Sequence, residues 1–281
     1  MRIKHILFCY IIFAALSGIG LAVWRTVLMV RYFDPYNNEF ALQAEPHLRA
    51  LGFTLAAVLA ILATSAILLA RFEFGKFSAS DNQFSVFTSA LLGFVFLAIG
   101  VFSLLPSSES EAIHGYPLYT CTQLITKLFV FLCAAYFILN AADNTRFENA
   151  RKLLAFAAPV WGVAFMISTY LDPAYNFKDY NHSLCILSVC ALVFFLLYEA
   201  GMTLMGKGGI PYFVFSLLSL AASAVYIIPN FILLAYWELS AGSNQIYEAA
   251  LLGTIFYTCA CLCNLCRTVK PREKKEVKKS V

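Results

Sequence analysis

The sequence predicts an all-α fold, a polytopic transmembrane bundle of eight helices with both chain ends inside. Three observations predict it. The 281 residues are 61% hydrophobic and 13% charged, with mean hydropathy +0.75, whereas a water-facing domain carries about 25% charged residues. Eight apolar stretches have about the length that crosses a bilayer, roughly 20 residues: 6–30, 50–70, 84–105, 118–140, 153–171, 183–205, 211–237 and 246–267. Lys and Arg are distributed unevenly between the connections, and that bias sets orientation.

With an N-in start, fifteen basic residues fall inside: Arg2, Lys4, Arg71, Lys76, Arg146, Arg151, Lys152, Lys207, Arg267, Lys270, Arg272, Lys274, Lys275, Lys278 and Lys279. Three fall outside: Arg31, Arg49 and Lys178. The outer connections instead carry acids, among them Asp34, Glu39, Glu45, Glu109, Glu111, Asp172, Asp179 and Glu238. The net charge of +4 is therefore a basic inner face set against an acidic outer one. The reading is a multi-pass protein of a plasma (inner) membrane with both termini cytoplasmic. Its partner by composition is the lipid bilayer, and nothing in it calls for nucleic acid or a cofactor.

Each element has a local reason. The first apolar run is far longer than the 7–15 residues of a signal-peptide core, and no small-x-small site follows it before the acidic loop, so it reads as a retained helix. It stops at "YFDP", Tyr32 to Pro35, because the residue before a proline is pushed out of helical geometry. The fifth run stops the same way at "YLDP", Tyr170 to Pro173, and the tyrosines at both stops suit an interfacial aromatic belt. Turns at Gly75-Lys76 and Gly206-Lys207 close the second and sixth runs. Pro159 and Pro229 lie inside the fifth and seventh, where each removes a backbone hydrogen bond and kinks its helix; Pro229-Asn230 leaves a free carbonyl and an amide in the outer third. Residues 269–281 read as a basic, disordered cytoplasmic tail. It is either a topology anchor or a segment that holds anionic lipid, at about 1 kcal/mol per basic residue near the surface.

The paired stops prompt a wider comparison. Asp34-Pro35 and Asp172-Pro173, "FSVFTS" and "YFVFSL", Tyr119 and Tyr247, Thr126 and Thr254, and Cys133 and Cys261 recur at similar separations. They divide the chain into two four-helix units, 1–145 and 146–268, related in parallel as in some transporters. The competing explanation is chance matching among Phe, Leu and Ser in apolar helices.

Ionisable groups within apolar runs mark function by default, since each costs a few kcal/mol at mid-membrane. Lys127 lies about nine residues into the fourth helix, roughly 13 Å deep at 1.5 Å per residue, and is expected to face the bundle with a partner. Arg25 and Glu248 lie nearer the outer surface, and Glu199 sits near the inner end of the sixth helix in "LYEAG". Arg25, Lys127 and Glu248, with Asn230, form the candidate intramembrane polar site, with Glu199 as a further candidate. The competing structural reading makes Lys127–Glu248 a packing pair and Arg25 an interfacial snorkeller.

Other constellations are excluded or weak. The nine cysteines include none in an outer loop, so no secreted-type disulfide frame is indicated. In "CACLCNLC" at 259–266, Cys261 points away from Cys259, Cys263 and Cys266, and one helix cannot wrap four thiolates tetrahedrally around a metal. His47, His114 and His182 fall on three different outer loops. There is no phosphate-binding glycine loop, zinc-protease motif or nucleophile elbow, and no catalytic residue is expected.

At "WRTVLMVRYFDPYNNEF" and "FFLLYEAGMTL" the chain resembles uncharacterised multi-spanning membrane proteins of clostridial-type bacteria. Those have an arginine in the first helix, an Asp-Pro or Asp-Glu turn, and "YEA" on a later helix. The resemblance covers about a tenth of the chain, which departs from it at Asn37-Asn38-Glu39. It implies a bacterial plasma-membrane protein and no particular activity. Two functions stay open: a small-molecule transporter or permease-like protein, and a non-catalytic sensor, assembly factor or accessory subunit working with a membrane partner or a second copy.

Overall fold

A computed structural model describes residues 2–34, 39–70, 72–74, 82–104, 116–142, 145–172, 180–205, 209–237 and 243–271. It contains ten α-helices among the described residues: α1 (Arg2–Tyr32), α2 (Glu45–Ala63), α3 (Ser65–Leu69), α4 (Gln83–Ser103), α5 (Pro117–Ala142), α6 (Glu148–Leu154), α7 (Ala157–Tyr170), α8 (Tyr180–Met205), α9 (Ile210–Trp237) and α10 (Ser243–Thr268). They make eight spans long and apolar enough to cross a membrane, α2 with α3 forming the second and α6 with α7 the fifth.

Local chemistry accounts for the span ends. Asn82 caps α4, its side-chain oxygen accepting from the Phe84 amide at 3.1 Å; side-chain oxygens at this position satisfy a helix's orphan donors. The second span begins at Leu42, eight residues before the predicted 50. Its polar first turn is helical because Pro46 suits a helix start and Arg49 pairs with Glu45 at 2.5 Å. α1 ends at Tyr32 and gives way to a two-residue strand, β1 (Phe33–Asp34), paired antiparallel with β2 (Glu39–Phe40). α7 likewise ends at Tyr170, two residues before Asp172. Both stops fall where Asp-Pro predicts; Pro35 and Pro173 themselves lie outside the described residues. The fifth span breaks between Leu154 and Ala157. Pro159, in the first turn of α7, cannot donate to the Ala155 carbonyl one turn earlier, and the helix is interrupted there.

The packing is a ring with an appendage. α4, α5, α7, α8, α9 and α10 each pack against the next in that order, and α10 returns to α4. α1 lies along the outside of this ring on α9, and α2 packs on α1 and α9. Small residues let the backbones approach, as at many helix interfaces in membranes. A Cβ on Gly18 of α1 would sit 3.1 Å from the Ala224 Cβ of α9, and one on Gly93 of α4 would sit 3.1 Å from the Ile138 backbone nitrogen of α5. The ring is filled by stacked and edge-on aromatics: Tyr247, Phe165, Trp161, Phe96, Phe137 and Tyr257 are linked pairwise at centroid distances of 4.9–5.7 Å.

The first and last described residues lie at one end of the bundle, called basal below. The Lys4 ammonium donates to the Arg267 carbonyl at 2.8 Å. β3 (Phe72–Phe74), after the second span, pairs antiparallel with β4 (Val269–Pro271), after the eighth. The tail assigned to 269–281 is thus corrected at its start: Val269 to Pro271 form a strand, because a paired edge satisfies their backbone groups. Residues 272–281 lie outside the described residues.

The two halves do not pack alike among the described residues. α8 runs along α9, but their counterparts, the second and third spans, share no comparable contact, and α1 lies outside the ring while α7 lies within it. The packing lends the duplicated reading no support.

Candidate polar sites in the membrane-spanning core

The structure sorts the predicted polar residues into an apical cluster, a basal cluster and one outlier. The apical cluster is built around Arg25, which is fully buried between α1 and α9. Its Nη1 donates to the Val225 carbonyl at 2.8 Å and the Tyr226 carbonyl at 2.5 Å. Its Nη2 donates to Asn230 Oδ1 at 2.9 Å and to Asn181 Oδ1, and its Cζ lies 5.5 Å from the centre of the Tyr226 ring. Sequence explains part of this. Pro229 has no amide hydrogen, so the carbonyl four residues earlier, Val225, loses its helical donor, and Arg25 supplies one. A planar fork of five donors suits several acceptors at once.

Glu248 completes the apical cluster. Its Oε1 accepts from the Tyr226 hydroxyl and from Asn230 Nδ2, the latter at 3.3 Å. Asn230 therefore bridges cation and carboxylate, accepting from Arg25 and donating to Glu248. The cluster joins α1, α8, α9 and α10. Of the predicted constellation, Arg25, Glu248 and Asn230 come together. The alternative of Arg25 as an interfacial snorkeller is corrected: the Val225 and Tyr226 carbonyls and the Asn181 and Asn230 side chains hold it inside the bundle.

Lys127 is the outlier. It was expected to face the bundle with a partner; it sits half-exposed at the edge of α5 and makes no hydrogen bond or ion pair among the described residues. The reason is rotational. α5 buries Tyr119, Thr122, Thr126, Val130, Cys133 and Phe137, and Lys127 is one residue, about 100°, round from Thr126. No Lys127–Glu248 pair forms.

The basal cluster is built around Glu199, 3% exposed. Its Oε1 accepts from the Tyr257 hydroxyl of α10 and, at 3.3 Å, from the Tyr136 hydroxyl of α5. Tyr136 also meets the Thr203 hydroxyl at 3.3 Å. Tyr257 accepts from Asn140 Nδ2 at 3.1 Å, and that amide reaches Ser89 of α4 at 3.3 Å. The Cys261 thiol lies against the Tyr212 and Tyr257 hydroxyls. Glu199 Oε2 is buried without a partner. A buried carboxyl oxygen left unpaired carries a desolvation cost of about 1–3 kcal/mol or more, so this end of the network is unsaturated.

One feature escaped the sequence reading. Along α9, Tyr212, Ser216, Ser219, Ser223, Tyr226 and Asn230 follow one another at alternating spacings of four and three. That spacing keeps them on one helix face, and all but the half-buried Asn230 are buried. The stripe starts beside Cys261 in the basal cluster and ends in the apical one. A search of the seventh span for polar rather than apolar periodicity would have found it.

The remaining metal candidates do not assemble. Among the described residues no group of three His, Cys, Asp or Glu side chains could hold a metal ion. His47 stacks on Tyr32 at 6.1 Å, His182 is buried at the start of α8, and His114 lies outside the described residues. Comparison with protein-family models, curated proteins and solved structures finds no match to this chain.

Proposed function

We propose that the chain is an integral membrane protein that moves a small solute, a transporter or permease-like bundle without catalysis. The observation that supports this reading is the polar stripe on α9, which runs between the buried Glu199 cluster and the half-buried Glu248 cluster across a bundle whose surroundings are lipid. Ionisable residues facing the interior of such bundles mark solute and ion pathways among their principal roles. The basal end is the cytoplasmic end of a plasma (inner) membrane, on the basic-residue bias read from the sequence. In a Cys121→Ser background, Ser280→Cys should react with an impermeant maleimide only after the membrane is opened; reaction at residue 280 in intact cells would reverse the orientation.

The function test is flux. Full-length protein in liposomes should take up one radiolabelled class among amino acids, organic acids and organic cations, whatever happens to the lumenal pH. No uptake of any class would remove the transport reading. One observation favours the alternative of an accessory subunit. Lys127, half-exposed at mid-span, suits a partner helix bearing an acid, and such a partner should co-purify with the wild type and be lost from Lys127→Met.

A further inference from the structure

Glu199 is the one carboxylate with a buried oxygen that has no hydrogen-bond partner among the described residues. It lies inside the ring of α4, α5, α7, α8, α9 and α10, six residues from the basal end of α8, about 9 Å at 1.5 Å per residue. One carboxyl oxygen is fixed by two tyrosine hydroxyls; the other is buried and unpartnered. The titratable groups facing it are Tyr136 from α5, Tyr257 and Cys261 from α10, and Tyr212 from α9. α7 has no titratable residue but Tyr170 at its far end. Among the described residues no cation acts on it as Arg25 does on Glu248.

The surroundings also select the ligand. A metal cation in such a site needs several oxygen ligands converging on it. Around Glu199 the tyrosine hydroxyls already donate to Oε1, which leaves one free acceptor. A proton needs only one. On the basal side, the Thr203 hydroxyl extends the chain through Tyr136, and the buried, unpartnered Asn264 Nδ2 of α10 lies seven residues beyond Tyr257 toward the same end.

We propose that Glu199 is a proton-exchange site: Oε2 takes a proton from the basal side and returns it there, while Oε1 stays held by Tyr136 and Tyr257. The step is carboxylate plus aqueous proton to carboxylic acid, with no other bond made or broken. This rests on the transport reading only for its purpose, since it makes the proton the coupling ion; the exchange itself stands on the geometry.

The test is infrared difference spectroscopy between acidic and alkaline buffer on full-length protein in liposomes. The wild type should show a carboxylic-acid C=O band on the acidic side. Glu199→Gln should lose it, Glu248→Gln should keep it, and Tyr257→Phe should keep it at a shifted frequency because one donor to Oε1 is gone. Dicyclohexylcarbodiimide, which adds to protonated buried carboxyls, should then modify the Glu199 peptide faster as pH falls. A difference spectrum of Glu199→Gln identical to wild type overturns the proposal. So does loss of the band on adding sodium at fixed pH, which assigns a metal cation instead. If Glu199→Gln fails to fold, the Tyr257→Phe shift decides alone: an unshifted band overturns the proposal. Proton exchange without solute flux would sink the transport reading and leave this one standing.

Discussion

The apical and basal clusters use similar residue types to opposite ends. Around Arg25, four acceptors and an aromatic face meet one cation, and a carboxylate is tied in through Asn230. Around Glu199, a carboxylate meets only hydroxyls, and one oxygen has no partner. A buried charge that is surrounded and hydrogen-bonded locks helices together, because removing any partner strands the rest. A buried carboxyl that is half satisfied can change protonation state without dismantling its neighbours. The difference teaches that burial alone does not separate the two carboxylates; what separates them is whether a buried cation is tied into the same hydrogen-bond network.

The largest expected effect breaks the apical side of this contrast. Arg25→Met should cost about 3–5 kcal/mol, the range for removing one partner of a buried charged network. Val225, Asn181, Asn230 and Glu248 would all lose a donor or a neighbouring charge. Thermal unfolding in detergent would read this as a sharp fall in Tm, and Arg25→Lys should recover little, since an ammonium cannot span the fork. A shift under about 1 kcal/mol would mean the cluster does not hold α1 to the ring.

Glu199→Gln sharpens the other side. The amide keeps an oxygen for Tyr136 and Tyr257, so stability should change by no more than about 1 kcal/mol, while solute-driven pH change in liposomes should vanish. Loss of folded protein instead would make the basal cluster structural. Next is the coupling between Pro229 and Arg25. In a Pro229→Ala background the amide of residue 229 regains Val225 as acceptor, and Arg25→Met should become milder by about 1 kcal/mol, read as the interaction energy of a double-mutant cycle. Additive effects would show that the freed carbonyl does not matter to Arg25. The smallest effect belongs to Lys127→Met, expected within about 0.5 kcal/mol, as for surface substitutions away from special features. A large destabilisation would place Lys127 in the packed interior after all.

Much of the fold was legible because its causes are local. Asp34 and Asp172, each before a proline, marked the ends of α1 and α7, and Pro229 announced an orphan carbonyl four residues upstream. The candidate site was half legible. Arg25, Asn230, Glu248 and Glu199 stood out as polar groups in apolar runs, but so did Lys127, and depth along a helix says nothing about direction around it. The stripe on α9 was missed because serine and tyrosine barely register on a hydropathy scale.

The sequence by itself determined that eight helices are long and apolar enough to cross a membrane, and where α1 and α7 stop, since these follow from apolar length and from the Asp-Pro pairs. Only the tertiary structure decided that Arg25 turns inward onto α9 while Lys127 turns outward from α5. It also decided that Glu248 and Glu199 belong to separate clusters. The reason is physical: in lipid, the outer face of a helix is as apolar as its packed face, so the pattern that orients a helix in water is absent. Direction is then set by where neighbouring helices can approach closely and which unmet backbone or side-chain group they offer.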